Sequence, residues 1–264
     1  MDMELSGKRV LITGGSRGIG LACAQAFLRE GAKVAIVGRS EANLTAALTT
    51  LAGKFPDAAP VTAAADLTDA NSAARAVDAA WSALGGIDIL VTSAGAARRT
   101  PPADLTPQAW RDAMDAKYFS YINVIDPVIK RMGRGGGGAI VNIVGMGGKV
   151  PSPTHLPGGA ANAALMLASA GLANAYGRLG VRVNALNPSA TSTDRLNQGL
   201  EAEAKLAGTT VEEALRKAND RTGLGRLAKP EEIADAVLFL ASARASYISG
   251  AILSIDGATT PFVV

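Results

Sequence analysis

Short apolar runs alternate along the chain with longer segments in which apolar residues recur every three or four positions. Between the first two runs, for example, Ile19, Cys23, Ala26 and Phe27 follow helical spacing and Gly31 ends the pattern. Most of the short runs are apolar at consecutive positions, as expected when helices cover both faces of a parallel sheet. The pattern predicts a doubly wound α/β sheet of seven mainly parallel strands with helices on both faces. We place the strands at Arg9–Thr13, Lys33–Val37, Ala59–Ala63, Asp88–Thr92, Ala139–Val144, Arg182–Leu186 and Ile252–Ile255.

Composition narrows the function classes. The formal net charge of 264 residues is only +3, and no run of lysines and arginines is present, so we expect no nucleic-acid partner. With one cysteine and one histidine in the chain, we expect no disulfide and no metal site. Residues 1–8 are polar and no apolar run reaches membrane-spanning length, which predicts a cytoplasmic protein without a membrane partner. We find no linker and no internal repeat, so residues 1–264 are predicted to form one domain.

A glycine-rich loop joins the first strand to the first helix, with glycines at 14, 15, 18 and 20. Glycines at such a turn let the backbone approach a pyrophosphate and direct helix N-terminal amides at its charge. A tight strand-to-helix turn without a ligand is the alternative interpretation. Ligands of doubly wound sheets bind beyond the carboxyl ends of the strands, which is where this loop lies.

The segment Thr13–Gly20, T-G-x-x-x-G-x-G, resembles the short-chain dehydrogenase/reductase family, and the resemblance extends to the C-terminus through Asp66-Leu67, Leu90–Gly95, Asn187–Ser189 and Pro230–Ala234. It implies a Rossmann-type fold and a homotetramer or homodimer that uses the helices at 107–132 and 157–178. It also implies a dinucleotide site formed by Gly14, Ser16, Arg17, Gly18, Ile19, Gly20, Arg39, Asp66, Leu67, Ser93, Ala94, Gly95, Asn162, Pro188 and Thr193.

The residues after the second strand bear on the choice of cofactor. An acidic residue there binds the ribose hydroxyls of NAD and repels a 2′-phosphate, whereas a basic residue accepts that phosphate. This chain has Gly38-Arg39-Ser40 and a second arginine, Arg17, in the glycine loop. Two guanidinium groups near one phosphate favour NADP(H). Alternatively, Arg39 is a solvated surface residue, as in NAD enzymes that carry an arginine at this position.

The catalytic positions depart from the family pattern, which pairs a serine with Y-x-x-x-K thirteen residues later and adds an asparagine in a preceding helix. The resemblance aligns Gly145 with the serine, Gly158 with the tyrosine and Asn162 with the lysine, and the thirteen-residue spacing between 145 and 158 is kept. Lys117 aligns with the helix asparagine. A glycine has no side chain that transfers a proton, so the family's tyrosine mechanism cannot operate at position 158.

Lys117 lies within a mainly apolar helical stripe formed by Trp110, Met114, Tyr121, Ile125 and Val128. A lysine in such a stripe is unfavourable unless its ammonium group is paired, reaches solvent or reaches a polar cavity. One interpretation makes Lys117 a proton donor or an anchor for an anionic substrate. The other makes it a structural residue that donates hydrogen bonds to backbone carbonyls near Gly145 and stabilises a kink in the helix.

His155 precedes Gly158 by three residues, in a loop at the expected mouth of the cavity. An imidazole transfers protons at neutral pH, so His155 is a second catalytic candidate, although an exposed loop histidine without a role fits the sequence as well. Arg98, Arg99, Lys149 and Arg195 are placed to surround the cavity and suggest an acidic small-molecule substrate, or are simply solvated. The segment 189–228 is predicted to form a lid over the substrate.

Three functions fit these observations. The first is an NADP(H)-dependent oxidoreductase that acts on a small-molecule carbonyl, imine or conjugated alkene, with Lys117 in place of the missing tyrosine and lysine. The second is a non-catalytic relative that keeps the nucleotide site as a sensor or scaffold. The third is a lyase or isomerase that uses Lys117 as an amine nucleophile or base.

Overall fold

The computed structural model describes residues 2–95 and 97–260, and within 194–207 it leaves out the side chains at 195, 198, 199, 202, 203, 205 and 206. Seven strands form one sheet in the order β3-β2-β1-β4-β5-β6-β7, and every neighbouring pair is parallel. The predicted doubly wound α/β fold is therefore confirmed. The strands are β1 Arg9–Thr13, β2 Lys33–Gly38, β3 Val61–Ala64, β4 Ile89–Thr92, β5 Gly138–Ile143, β6 Val181–Pro188 and β7 Ile252–Ile255.

Strand pairing adjusts the bounds that apolar runs predict. β3 begins two residues later than expected, because it is an edge strand whose register starts where Val61 meets Ala35 of β2. β6 extends two residues further, because Pro188 at its end pairs with Ile255 of β7. In both cases the neighbouring strand decides where hydrogen bonding stops.

Helices cover both faces of the sheet. They are α1 Gly18–Arg29, α2 Glu41–Lys54, α3 Ala70–Leu84, α4 Pro107–Ala113, α5 Ser120–Arg134, α6 Leu156–Tyr176, α7 Asp194–Ala207, α8 Val211–Asp220 and α9 Pro230–Ala241. Successive residues of β1 point to opposite faces, so Val10 and Ile12 join the core beneath α1 and α9 while Leu11 joins the core beneath α3 and α5. Because both faces are buried at the inner strands, β1, β2, β4, β5 and β6 read as mainly apolar runs.

A wide π-helical turn, Met114–Phe119, connects α4 to α5. The extra residue in such a turn rotates the side chains that follow it, and π turns occur frequently at functional sites. Tyr121, Ile125 and Val128 are buried as the predicted stripe requires, whereas Trp110 is 39% exposed, so the stripe does not continue through α4. Lys117 lies inside the turn and is only 8% exposed.

The α6 region corrects the expectation that no apolar segment is long enough to span a membrane. The helical segment Pro153–Leu179 has 27 residues and contains an 18-residue stretch of mean hydropathy 1.3, which suffices by length and composition. In this structure Ala161, Leu165 and Ala173 of α6 are buried. The apolar composition on this side of α6 reflects packing within the α/β fold, because Leu165 and Ala173 join the core cluster that includes residues of β5 and β6.

The predicted lid segment contains two helices, α7 and α8. Leu200, Ala204 and Ala214 form a small apolar cluster separate from the two main cores. Thr191 and Ala228, near the ends of the segment, form an isolated parallel bridge that holds those ends together. The segment therefore has a small core of its own, and its role as a lid stays a prediction.

Candidate active site

Backbone packing explains two glycines of the loop after β1. Gly14 has a φ of +67°, and a Cβ placed on it would lie 2.8 Å from the backbone nitrogen of Ala94. A Cβ on Gly20 would collide with the carbonyl oxygen of Gly14. The Thr13 hydroxyl accepts hydrogen bonds from the amides of Ser93 (3.2 Å) and Ala94 (3.3 Å), so the ends of β1 and β4 are tied together beside the loop. These contacts bring two backbone segments closer than side chains would allow.

A cleft of about 670 Å³ opens at the N-terminus of α1, along the carboxyl ends of β1, β2 and β4. Helix amides at this position favour an anionic ligand. Twelve of the fifteen residues predicted to bind the dinucleotide line it: Gly14, Ser16, Arg17, Gly18, Ile19, Arg39, Asp66, Leu67, Ser93, Ala94, Gly95 and Thr193. Gly20, Asn162 and Pro188 do not. Gly20 is buried and supports the loop from behind.

The cleft includes residues that the motif did not single out, among them Ser40, Asn43, Thr68, Ala116 and Ser120. Ser40 and Asn43 begin α2, where the Ser40 hydroxyl accepts a hydrogen bond from the Asn43 amide. Because both follow Arg39 closely in the sequence, their place in the cleft could have been predicted from the sequence. For Ala116 and Ser120 no such signal exists, because only the packing of the π turn against Gly95 brings them to the cleft.

Arg17 and Arg39 both line this cleft, and the end of β2 carries no acidic side chain. Asp66 lies on the neighbouring loop after β3. Hydrogen bonds from the Thr68 amide (3.0 Å) and hydroxyl (2.8 Å) lower the pKa of the Asp66 carboxyl, and the positive charge of Arg39 lowers it further. This corner of the cleft therefore offers two guanidinium groups and one acceptor that stays ionised.

The positions aligned with the family's serine and lysine converge in space. The amide nitrogen of Asn162 lies 3.5 Å from where a Cβ on Gly145 would be and 3.4 Å from the same point on Gly147. The backbone amide of Gly145 donates to the side-chain oxygen of Asn187, at 3.3 Å. Asn162 is 5% exposed, and its side-chain oxygen is buried without a hydrogen-bond partner among the described residues. A buried acceptor of this kind fits a ligand that brings a hydroxyl donor.

Gly158 adjoins the imidazole of His155. A Cβ on Gly158 would lie 2.5 Å from the His155 Nε2 and 2.8 Å from the Cβ of Ala97, and would collide with the His155 Cε1. The His155 ring also lies against Gly147, 3.1 Å from its Cβ position. The sequence placed His155 at the cavity mouth, and the structure places its ring against the aligned tyrosine position.

Lys117 extends from the π turn to the end of β5. Its Nζ donates hydrogen bonds to the Tyr121 hydroxyl (2.8 Å) and to the carbonyl of Ile143 (3.2 Å), two residues before Gly145. The Tyr121 hydroxyl donates to the same carbonyl at 2.5 Å, and the Lys117 Nζ lies 4.4 Å from the centre of the Tyr121 ring. The bond to Ile143 is the one that the structural interpretation predicts. Tyr121 is the polar partner of Lys117, a role that its place in the apolar stripe did not predict and that no motif indicated.

The basic residues expected around the cavity differ in placement. The Arg99 guanidinium lies 3.4 Å from the Thr154 hydroxyl, next to His155, and Arg98 is exposed. Lys149 points instead to β7, with its Nζ 3.3 Å from the Ser254 hydroxyl. The side chain of Arg195 lies outside the described residues. Within the described residues no group of three or more histidine, cysteine, aspartate or glutamate side chains is arranged to hold a metal ion.

Comparisons with known proteins agree with this geometry. A family model described as enoyl-(acyl carrier protein) reductase matches residues 14–260. D-threitol dehydrogenase from Mycolicibacterium smegmatis is 36% identical over 259 residues, which cover 98% of this chain and 95% of that protein.

Two solved structures have the same fold. L-sorbose reductase from Gluconobacter frateurii, complexed with NADPH and L-sorbose, superposes with a TM-score of 0.94 at 30% identity and full coverage of both chains. An NADPH-bound short-chain oxidoreductase from Pseudomonas aeruginosa, whose catalytic centre is described as atypical, gives a TM-score of 0.88 at 30% identity over 98% of this chain and 100% of that one. The family match spans most of the sequence, and the fold and the glycine-lined cleft agree with it. The chain therefore belongs to the short-chain dehydrogenase/reductase family of oxidoreductases.

Proposed function

We propose that the protein is an NADP(H)-dependent oxidoreductase that acts on a small-molecule carbonyl, imine or conjugated alkene through a catalytic site built without the family's serine, tyrosine and lysine. One juxtaposition carries the proposal. Ala116 and Ser120 line the nucleotide cleft, and Lys117 between them directs its ammonium group toward the end of β5. A buried polar side chain thus borders the place where the resemblance puts the reactive end of the cofactor.

The cleft fits a dinucleotide. Gly14 and Gly18 line it at the N-terminus of α1, where a pyrophosphate would bind, and Arg17 and Arg39 would supply donors for a 2′-phosphate. Asn162 aligns with the family's lysine but does not line the cleft, so its buried side-chain oxygen would accept a hydrogen bond from a ribose hydroxyl only after the side chain turns toward the cleft. When bound, the cofactor supplies or accepts the hydride. The NADPH complexes of two related structures support the choice of NADP(H).

The residues of this chain would bind and polarise the substrate. Lys117 offers N–H donors to a substrate oxygen or carboxylate, and Tyr121 positions it through the hydroxyl contact and the ring beneath the ammonium group. Glycines at 145 and 158 add no polar atom, so substrate activation falls to the groups around them. The names of the relatives, a sorbose reductase and a threitol dehydrogenase, favour sugars and polyols as the first substrates to test.

A fluorescence titration with NADPH and with NADH at the same ionic strength tests the cofactor first. We expect NADPH to bind at least ten-fold more tightly, because a charge-assisted contact contributes about 1.5–3 kcal/mol. Mass spectrometry of ketoses, 2-oxo acids, imines and enones incubated with [4-²H]NADPH then tests for deuteride transfer. Tight NADPH binding without transfer to any cellular metabolite would favour the sensor or scaffold function.

The lyase or isomerase alternative predicts a different product. Borohydride trapping with a carbonyl substrate would then attach that substrate to Lys117, and peptide mass spectrometry would detect the adduct. Assembly into a homotetramer or homodimer, a cytoplasmic location and closure of the 189–228 segment remain predictions. Size-exclusion chromatography with light scattering tests the first of these.

A further inference from the structure

The His155 ring occupies the space into which a side chain at position 158 would extend. Real Cβ atoms essentially never approach another heavy atom as closely as a Cβ on Gly158 would approach the His155 Nε2, 2.5 Å away. Ala97 closes the same space from the other side at 2.8 Å. A larger residue at 158 and the present position of the imidazole are therefore mutually exclusive.

Hydrogen bonds hold the backbone around His155 in place. The amide of His155 donates to the Ser152 carbonyl at 2.8 Å, and the amide of Thr100 donates to the Thr154 carbonyl at 2.9 Å. The short helical turn Pro153–His155 leads directly into α6. The backbone that carries the ring is thus held from the loop after β4 and from the start of α6, and the residue is partly buried.

Gly158 has no role of its own in helix formation. It lies in the first turn of a 21-residue helix, where alanine would stabilise the helix better than glycine. Its φ is not positive, so the backbone does not require glycine there. The contacts with the His155 imidazole and with the Cβ of Ala97 are the features of this structure that do require it, and the imidazole is the nearer of the two.

From these contacts we propose that His155 is the catalytic proton-transfer residue of this enzyme, and that Gly158 is a positioning residue that admits the imidazole. The proposal rests on the proposed function. In the reductive direction a bound cofactor would supply the hydride to the substrate carbon and the His155 imidazolium would give its proton to the substrate oxygen, so that a C=O bond would become CH–OH. The neutral imidazole would then take a proton from solvent, because the residue is partly exposed.

The kinetic test compares single-turnover deuteride transfer in His155→Ala, Gly158→Ala and Gly171→Ala. Gly171 is the matched control, since it lies on the same helix and a Cβ there meets no neighbour within 4 Å. We expect about a 100-fold loss in His155→Ala, partly restored by added imidazole, because general acid catalysis contributes at least this factor. The rate of transfer in Gly158→Ala should fall about 10-fold or more. The double variant His155→Ala/Gly158→Ala should be no slower than His155→Ala, and Gly171→Ala should match the wild type.

A second readout does not depend on turnover. His155 is the single histidine of the chain, so ¹H–¹³C NMR of histidine-labelled protein shows one Cε1–H resonance. NADP⁺ should shift this resonance in the wild type, and Gly158→Ala should move it in the free protein while Gly171→Ala leaves it unchanged.

The outcomes separate this inference from the proposed function. The inference is overturned if His155→Ala transfers deuteride at the wild-type rate. It is also overturned if Gly158→Ala matches Gly171→Ala in both rate and histidine resonance. In either case the NADPH chemistry of the wild type still stands. If the transfer rate falls in His155→Ala together with thermal stability, and added imidazole does not restore it, His155 has a structural role. This result also overturns the inference. Wild-type protein that binds no NADPH overturns the proposed function itself, and that result is visible before any variant is made.

Discussion

The glycine loop after β1 and the start of α6 both use glycine where a side chain would not fit, yet different atoms fill the space. Beside Gly14 and Gly20 lie backbone atoms of Ala94 and of Gly14 itself. Beside Gly158 lies the side chain of His155. Backbone cannot move aside without disturbing the sheet, whereas a side chain can change its rotamer. The first region therefore presents a fixed backbone to any ligand. The shape of the second region depends on the rotamer of the His155 side chain.

The largest effect is expected for Gly20→Ala, because its Cβ would collide with the Gly14 carbonyl. We expect the free energy of unfolding to fall by about 1–3 kcal/mol, as for other overpacked interiors, and NADPH binding to be lost. Urea denaturation and fluorescence titration measure the two effects. Gly53→Ala in α2 is the control, since nothing lies within 4 Å of its Cβ position. Tight NADPH binding by Gly20→Ala would show that the loop can rearrange and would remove the contrast between the regions.

The next effect concerns the reaction region. Lys117→Met should lower the rate of deuteride transfer by about 100-fold or more while NADPH affinity stays near that of the wild type. Thermal stability should change little, because methionine fits an apolar site and the Tyr121 hydroxyl keeps its bond to the Ile143 carbonyl. Lys130→Met, an exposed lysine of α5 paired with Asp126, serves as the control. An unchanged rate in Lys117→Met, or a marked loss of stability instead, would leave Lys117 only a structural role.

A smaller effect is expected at the rim of the nucleotide cleft. Arg39→Ala should weaken NADPH binding by about ten-fold and leave NADH binding unchanged, because only NADPH carries the 2′-phosphate. The difference should shrink as salt is raised, since Arg39 is exposed and its charge is screened. Titrations at low and high ionic strength measure it, with Arg29→Ala, outside the cleft, as the control. Equal losses for both cofactors would contradict the assignment of Arg39 to the phosphate.

The smallest effect is expected at Asp66. Hydrogen bonds from Thr68 hold the pKa of its carboxyl below the ordinary value of 3.8 in the folded protein. This stabilisation is fully present above the unfolded pKa and is lost as the pH falls through the lower folded pKa. Asp66→Asn should therefore lower the melting temperature slightly at pH 7, and the difference from wild type should narrow as the pH falls below 4. Calorimetry across this range checks the prediction, and a difference that grows toward acid would contradict it.

Much of the nucleotide region could be predicted from the sequence because its determinants are contiguous. Strand, glycine loop and helix follow one another between Arg9 and Arg29, so the spacing alone places Arg17 and Gly18 in the cleft. Apolar runs located all seven strands for the same reason, since β1, β2, β4, β5 and β6 are buried along most of their length and even the edge strands β3 and β7 are mainly apolar. Where pairing partners mattered, at β3 and at the end of β6, the predicted bounds shifted by two residues.

The reaction region was predicted only in part. Motif alignment placed Gly145, Gly158 and Asn162 near one another, and the structure brings Gly145 and Asn162 together and places His155 against Gly158. The role of Tyr121 was missed, because its hydroxyl meets the Ile143 carbonyl across 22 positions of sequence and no periodicity reports such a contact. The lid helices α7 and α8 were likewise missed, since their apolar residues pack mainly on one another.

By itself the sequence determined the α/β fold, the family, the glycine loop and the absence of side chains at 145 and 158, because each depends on local residue type and spacing. The tertiary structure alone decided what replaces those side chains. Lys117 reaches β5 through the π turn, and the His155 ring fills the space beside Gly158, because both contacts join segments that only folding brings together.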